Sequence, residues 1–488
     1  MTIQFTPISD SNDPVYARLA VEIARLIDSG ALRAGQALPS SRELAAQLGL
    51  SRDTVVNAYR ELNRLGYTFG APPKGTYVMQ EQLDKPPADK TRIEAQIDPA
   101  LLSAFARQML AAEYCHPSST TYAGLNYGAV PRSALPMRKW RSTMQEMCKP
   151  ETFRKLEYKP DGLGRSELRQ AIAGYLYRTK GIECDWKQVA IFSISSGMIN
   201  IVLKLLLEPG AAIAVEEPGY GAIKNIAKTQ ALSLAPTDID DNGLNVHSLN
   251  KHIEPVKLIY VTAGHHDPTG TIMSQTRKKE LISWAKNNNA WIIDDDYDGH
   301  FYYEAPPQQS LWSMQPDSNV IYSSTFWQIL YPLTTIGYAV VPKKLISAVT
   351  AAIALQTTGF ADAMVQLTLS KLLEDGYLEY HVRRTQRIFS KRRVAITYDL
   401  KRLFGPAIEI QRQSGGCCFV VRLRSWSESE VDTAALKSGF PLVPTSAYYL
   451  GKPRQHEYLV NFSLYTEEVA AAKLKLFADV LKQGSSHR

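Results

Sequence analysis

The sequence predicts an α/β protein in two unequal parts, and three observations predict it. The chain has 488 residues, 45% of them apolar and 21% charged, a composition that can bury a sizeable core and does not read as disordered. At roughly 150 residues per domain this is about three packed units, or one large fold with a small appendage. From about residue 121 onward, short β-branched runs alternate with amphipathic helical stretches, the pattern of βαβ units around a mainly parallel sheet. Ahead of them, residues 1–78 read as three helices and a hairpin. The length excludes a disulfide mini-protein or a lone binding module.

In PVYARLAVEIARLIDSG, Leu19, Ile23, Leu26 and Ile27 recur at three and four, giving one apolar stripe that ends at Gly30. A short helix follows in LPSSRELAAQLGL, capped by Ser40 or Ser41, with Glu43 in its first turn. After a turn at Gly49, Ser51 caps SRDTVVNAYRELNRLGY, which sets Val55, Ala58, Tyr59 and Leu62 on one face and Arg52, Asp53, Thr54 and Asn57 on the other. Two helices about a short turn, the second with a polar N-terminal face, form the helix-turn-helix layout that enters a major groove. YTFGAPPKGTYVM then supplies two strand-like pieces around a Gly/Pro turn bearing Lys74, a wing.

Residues 79–120 are expected to be a linker. Their first twenty hold three basic and five acidic residues with two prolines, a solvated tether, and LLSAFARQML offers one further helix. In the body, residues 121–488, KQVAIFSIS, AAIAVEE, KLIYVT, AWIIDDD, NVIYSST and IGYAVVP are the expected strands, with a smaller lobe from about 380. Ligands of such folds bind beyond the carboxyl ends of the strands. Net charge is +7: eight basic against seven acidic residues give +1 in the head, the tether carries −2, and the body therefore +8 (7 − 1 + 2). The five cysteines have no metal or disulfide spacing and read as buried thiols in a reducing compartment. With no signal-like start and no apolar run of about 18 residues, a cytoplasmic chain without membrane contact is expected.

The run LPSSRELAAQLGLSRDTVVNAYRELNRLGY with KGTYV resembles the winged helix-turn-helix of GntR-type bacterial regulators. It implies double-stranded DNA as partner, with Arg42, Arg52, Asp53, Thr54 and the wing residues Lys74 and Gly75 as contacts beside the cap Ser51. Three clusters of the body are similar to fold-type I pyridoxal-phosphate enzymes, and the whole to MocR-type regulators, which fuse such a head to an aminotransferase-like body. In EEPGY, the resemblance sets Tyr220 where a ring stacks on the cofactor. VTAGHHDPTG matches a His-x-x-Pro-Thr-Gly turn at His265, Pro268, Thr269 and Gly270, with Asp267 replacing the usual asparagine. In IIDDDYDGHF, Asp295 corresponds to the carboxylate that pairs with the pyridinium nitrogen, which must be protonated for the ring to act as an electron sink, and Tyr297 to the residue at the phenolic oxygen. Taken without the resemblance, Asp295 reads as part of a solvated acidic loop, Tyr220 as a core aromatic and Pro-Thr-Gly as an ordinary turn.

The departures from the family pattern bear on chemistry. The family's Thr-Phe-Ser-Lys stretch aligns with Thr325, Phe326, Trp327 and Gln328, so the Schiff-base lysine is a glutamine, and a carboxamide forms no imine. The phosphate-gripping arginine aligns with Thr335, Gly-Ser-Gln with Ile194, Ser195 and Ser196, and a substrate-gripping arginine with Leu459. Bulky Trp327 is expected to fill space that a phosphate needs. Lys343 and Lys344, at the far end of their strand, offer no substitute, and the histidines and aspartates match no standard metal spacing.

The expectation is therefore a homodimeric, DNA-binding transcriptional regulator whose body pairs two chains and senses a small-molecule effector, without a cofactor and without catalysis. Two alternatives stay open: non-covalent pyridoxal phosphate held by Tyr220, Asp295, Tyr297, Ser324 and Thr325, and an active aminotransferase.

Overall fold

A computed structural model of the chain describes residues 14–28, 31–32, 35–71, 75–79, 101–103, 105–107, 130–153, 162–304, 308–356, 362–411, 415–440 and 442–485. The chain divides into two compact units, Met1–Asp98 and Pro99–Arg488.

In the smaller unit, α1 (Val15–Asp28), α2 (Ser41–Leu48) and α3 (Arg52–Arg64) precede an antiparallel hairpin of β1 (Thr68–Ala71) and β2 (Gly75–Val78). Ser40 is the cap of α2. Its hydroxyl accepts from the Glu43 N–H at 3.3 Å, and the Glu43 carboxylate accepts from the Ser40 N–H at 2.8 Å, a reciprocal box that satisfies two otherwise orphaned donors. Gly49 ends α2 at φ +64°, a left-handed conformation that favours glycine, and the Ser51 hydroxyl caps α3 by accepting from the Thr54 N–H at 3.1 Å. Val55, Ala58, Tyr59 and Leu62 are buried against Leu19, Ile23 and Leu44, the face that the spacing predicts. In α1 the buried residues are Leu19, Ala20, Ile23 and Ala24, while Leu26 and Ile27 lie half-buried at the core's edge. The expected stop at Gly30, the wing lysine Lys74, and residues 80–100 and 108–120 of the expected linker lie outside the described residues.

Tyr59 ties the two halves of the motif together, its hydroxyl donating to the Pro39 carbonyl at 2.7 Å. Tyr59→Phe is expected to cost the head about 1 kcal/mol. The check is the midpoint of chemical denaturation followed by a probe placed in the head.

The larger unit is built on an eight-stranded sheet, β3 (Val189–Phe192), β4 (Ala212–Glu217), β5 (Ser233–Asp240), β6 (Gly243–Leu244), β7 (Val256–Val261), β8 (Trp291–Asp296), β9 (Val320–Thr325) and β10 (Gly337–Val340), in the order β3-β10-β9-β8-β7-β4-β5-β6. The run from β9 to β5 is parallel throughout, and β10 lies antiparallel to both β9 and β3. Side chains alternate across the sheet. Ile213, Tyr260, Ile293 and Ile321 face α6 (Ser195–Leu206), α7 (Gly221–Thr229) and α9 (Ile346–Gln356). Ile259, Val261, Ile292 and Tyr322 face a second layer that includes α4 (Met137–Met147), α5 (Ser166–Lys180), α8 (Gln275–Asn287), α10 (Ala363–Glu374) and α11 (Tyr377–Phe404). Strand β5 carries Pro236 and two acids, Asp238 and Asp240, in SLAPTDID, which weakens its strand signature. It is tolerated there because β5 is paired along its length only with β4 and meets β6 only at its end.

Beyond α11 the chain forms a second sheet of β11 (Glu409–Ile410), β12 (Cys418–Arg422), β13 (Leu442–Pro444) and β14 (Glu457–Asn461), antiparallel in the order β11-β12-β14-β13, with helices α12 (Glu428–Ser438) and α13 (Glu467–Ser485). Cys417 and Cys418 are buried thiols as expected, but Cys148 is exposed just after α4, because it falls at a helix end rather than on a packed face. No helix among the described residues is long and apolar enough to cross a membrane.

Candidate functional site

Two surfaces carry chemistry, one in each unit. In the head, Arg42, Ser51, Arg52 and Asp53 are exposed in or beside the first turns of α2 and α3, with Thr54 half-buried under its bond to Ser51 and Gly75 exposed at the start of β2. Arg25 and Arg64 are clamped by Glu22 and Glu61. Arg42 and Arg52, among the described residues, are held by no carboxylate. Their charges are thus not spent on a carboxylate within the head.

In the body, the residues singled out from sequence gather at the carboxyl ends of β4, β7, β8 and β9. Asp295 is 4% exposed, which overturns the solvated-loop reading. The strand register sets it beside Ser323. Its Oδ1 accepts from the Ser323 hydroxyl at 2.8 Å and its Oδ2 from the Tyr260 hydroxyl at 2.5 Å. Burial raises the Asp295 pKa to about 6 against the pull of these bonds, with Asp296 and Asp298 adding to the rise. Tyr220 stacks on Tyr260, centroids 6.4 Å apart and planes at 22°, and both rings feel the charges of Asp295 and Asp267. Tyr260 was not singled out from sequence. Its signal is the lone aromatic hydroxyl in the run VKLIYV of β7.

Ser324, also named as a site residue, turns to the opposite face, where its hydroxyl donates to the Asp296 carbonyl at 2.8 Å. Ser323 is the serine at Asp295. Alternation explains the exchange, since neighbours on a strand point to opposite sides. That opposite face holds a separate buried network, with Lys180 and Tyr322 on Asp296 and Lys278 donating to the Gln309 carbonyl at 2.8 Å.

The two histidines of the β7 turn are shifted in opposite directions. His265 bonds to Asp298 at 2.8 Å and lies 3.4 Å from the Tyr297 hydroxyl. Burial disfavours its charged form, but Asp298, with Asp267 and Asp296 behind it, more than offsets this and the pKa lies above the ordinary value. His266 spans the Pro218 carbonyl at 3.0 Å and the Thr269 hydroxyl at 2.8 Å, and burial pushes it down to about 3, so it is neutral. The Pro-Thr-Gly turn is thus pinned by a neutral imidazole rather than by backbone geometry alone. Among the described residues no group of three or more His, Cys, Asp or Glu is set to hold a metal ion.

Glu216 at the end of β4 accepts from the Thr262 N–H at 3.0 Å and hydroxyl at 2.7 Å. Burial pushes its pKa from 4.5 up to about 8. The folded chain therefore holds a proton that the unfolded chain has released, so this contribution to stability is full below about pH 4.5 and lost as pH rises through 8. His266, neutral in the fold, stops contributing once the unfolded imidazole has lost its proton, about a unit above 6.5, while His265, whose pKa is raised, adds a loss of the same sign as that of Glu216. The melting temperature is expected to fall between about pH 6.5 and 8.5, at no more than about 1.4 kcal/mol per pH unit from each group. Glu216→Gln, which keeps an acceptor for Thr262, should flatten the profile, and an unchanged slope in that variant refutes the assignment.

After β9, Thr325 turns the chain, its hydroxyl donating to the Ile336 carbonyl at 3.2 Å and accepting from the Trp327 N–H at 3.1 Å. The single helical turn Trp327–Leu330 then buries Gln328 at 6% exposure, with its carboxamide oxygen lacking a hydrogen-bond partner among the described residues. Trp327 is half-buried with its ring 5.0 Å from that of Tyr331. The Thr335 hydroxyl donates to the Ser193 carbonyl at 2.7 Å, and Leu459 is buried in β14. Lys343 and Lys344 lie at the other end of the sheet, Lys344 against Asn319 and Trp291. The buried lysines Lys180, Lys224 and Lys278 are committed to Asp296, Glu217 and the Gln309 carbonyl. An imine needs an amine, and a carboxamide cannot replace it. The residues present do not fit a pyridoxal phosphate attached to the chain through an imine. At the carboxyl ends of the strands they do set a buried acid, two stacked tyrosines, an imidazole whose pKa Asp298 raises, and a buried carboxamide oxygen without a hydrogen-bond partner among the described residues.

Residues 15–78 match the model of the bacterial regulatory proteins of the gntR family, and residues 122–451 that of aminotransferase class I and II. Relatives include the uncharacterized HTH-type transcriptional regulator YdeL of Bacillus subtilis, 29% identical over 458 residues (93% of this chain, 94% of the relative). The probable rhizopine catabolism regulatory protein MocR of Rhizobium meliloti is 26% identical over 463 residues (93% and 91%). The HTH-type pyridoxine biosynthesis transcriptional regulator PdxR of Corynebacterium glutamicum is 27% identical over 475 residues (96% and 96%). Among solved structures, the kynurenine aminotransferase of Pyrococcus horikoshii superposes with a TM-score of 0.68 at 21% identity (80% of this chain, 98% of that chain). An archaeal alanine:glyoxylate aminotransferase gives 0.70 at 20% (79% and 100%). These two likenesses show the fold of the body.

Proposed function

Because the chain belongs to the aminotransferase class I and II family and carries a gntR-family head, we propose that it is a DNA-binding transcriptional regulator whose body takes a small-molecule effector without transaminase chemistry. The observation that carries the DNA reading is the capped α3, with Arg52 and Asp53 exposed at its first turn and Arg42 at that of α2. The regulator names of full-length relatives support it. Paired heads on a dimer bind repeated half-sites, so the operator is expected to be a direct or inverted repeat.

Gln328 supports the loss of catalysis. With a carboxamide where the family has its lysine, there is neither a covalent tether nor an amine to move a proton at the reacting carbon. The same residue supports ligand sensing, since an unpaired buried acceptor costs roughly 1–3 kcal/mol that a ligand donor recovers. Asp295, Tyr220, Tyr297 and Thr325 suit a protonated heterocycle or an amine. A second reading, favoured by the buried Asp295 with its raised pKa, is that pyridoxal phosphate still binds there without a bond to the chain. Gel-shift with the DNA upstream of its own gene tests the first half: no shift at moderate salt defeats it. A metabolite panel including pyridoxal phosphate, read as a rise in melting temperature, tests the second.

A further inference from the structure

The body carries the positive charge of the chain, and the structure shows where. Helix α11 has eight Arg or Lys against Glu379 and Asp399, a net of +6 (8 − 2) out of the body's +8. Three of the eight are used within the fold: Arg392 is buried and donates to the Ser463 carbonyl, Arg393 meets Glu304 at 3.2 Å, and Arg402 meets Asp399 at 2.8 Å. Arg383, Arg384, Arg387, Lys391 and Lys401 are exposed, and among the described residues no carboxylate pairs with them. At about 100° per residue the five fall within one arc of about 100°, and at 1.5 Å per residue they extend for about 27 Å. Tyr380, Val394 and Tyr398 lie in the same arc, 54%, 61% and 67% exposed.

The stripe continues onto a second element. Exposed Arg138 of α4 acts, with Arg384, on the hydroxyl of Tyr377, and Lys139 stands 5.6 Å over the same ring. Of the nearby acids, Asp375 is shared by Lys371 at 2.9 Å and Lys139 at 3.5 Å, and Glu379 is held by Arg178 at 2.6 Å. Like charges at helical spacing repel by a few tenths of a kcal/mol per pair, and among the described residues no carboxylate pairs with the five exposed cations of α11 to offset that. A row of fixed cations about 27 Å long matches a polyanion with evenly spaced charges, and exposed tyrosines among them can reach phosphate or sugar oxygens. We infer that α11 is a second, sequence-independent docking surface for the phosphate backbone of double-stranded DNA. The inference rests on the DNA-binding reading of the head.

The test uses the full chain with Arg383, Arg384, Arg387 and Lys391 all changed to glutamine, titrated against its upstream DNA and against a mixed-sequence duplex of equal length. Between ~50 and ~200 mM salt, the plot of log affinity against log salt is expected to flatten by about 2–4 units, at ~0.9 per lost phosphate contact. Both duplexes should weaken together, by about ten- to a hundredfold at the lower salt, with the ratio between them and the molecular mass unchanged. Arg387→Glu with Lys391→Glu is the second variant, read in the same way, should the first fail to fold. Wild-type affinity and slope in a folded variant overturn the inference, and so does a changed oligomeric mass, which would mark α11 as an interface between copies. If the unaltered chain binds neither duplex, the reading of the head falls instead, and this inference with it.

Discussion

Replacing Arg52 by alanine is expected to weaken binding of the full chain to its upstream DNA by about ten- to a hundredfold, the 1–3 kcal/mol of one good base or phosphate contact, and to leave its melting temperature unchanged. The side chain is exposed in the first turn of α3 and no carboxylate among the described residues holds it, so its removal breaks nothing inside the head. The α3 cap stays in place because Ser51 and Thr54 make it. Discrimination against mixed-sequence DNA should fall with affinity if Arg52 reads a base, and affinity alone should fall if it holds a phosphate. Leu62→Ala is the contrasting loss. Leu62 is fully buried between the helices, and the cavity costs about 2–5 kcal/mol, enough to unfold so small a unit and abolish binding altogether. An Arg52→Ala chain that binds like the original would move the contact surface away from α3.

The head was legible because local rules set it. Ser40 with Glu43, Gly49 at a left-handed turn and Ser51 before a polar first turn each fix a helix boundary within a few residues of chain, and the structure puts the caps where those residues demand. The strands of the parallel core were legible for a similar reason: they are buried on both faces and read as continuous apolar runs. What local patterns could not carry was direction and pairing. That β10 runs antiparallel between β3 and β9 depends on a connection, not on its own residues, and β5 hides its strand character behind a proline that only its place near the sheet edge excuses.

At the site the same division holds. Residues flagged by motif, Tyr220, Asp267, Asp295 and His265, do converge, because the motif occurs where strands end. Their partners are not among the residues singled out from sequence. Tyr260 reaches Asp295 from the neighbouring strand, Ser323 rather than Ser324 faces it by register, and Asp298 bonds to His265 from the loop after β8. Register is a property of two strands, and a one-residue difference exchanges the faces. The basic stripe of α11 was visible as a surplus of charge but not as a surface, since burial of Arg392 and pairing of Arg393 and Arg402 had to be known before the remaining five could be seen to share one side.

Gln328 decides what the body can do, and its effect should be all or none. Incubated with pyridoxal phosphate and reduced with borohydride, the chain is expected to gain no stoichiometric, saturable label on the peptide containing residue 328, because the carboxamide there has no nucleophilic nitrogen. Gln328→Lys places an amine in a turn already buried at 6% exposure, in the family's own place for it, at the sheet end where Asp295 is buried, and the label should then appear on that peptide. Asp295→Ala in the same background should remove it again if that carboxylate holds the ring nitrogen. Gain of the label need not bring transamination, because Thr335 spends its hydroxyl on the Ser193 carbonyl and Leu459 offers no charge to a substrate carboxylate. Stoichiometric labelling of the unaltered chain at any buried lysine would overturn the reading, since it would supply from elsewhere the amine that position 328 lacks. Lys224 is the one to watch: it is buried, burial lowers its pKa despite Glu217 at 2.9 Å, and an amine made less basic is also one more available as a nucleophile.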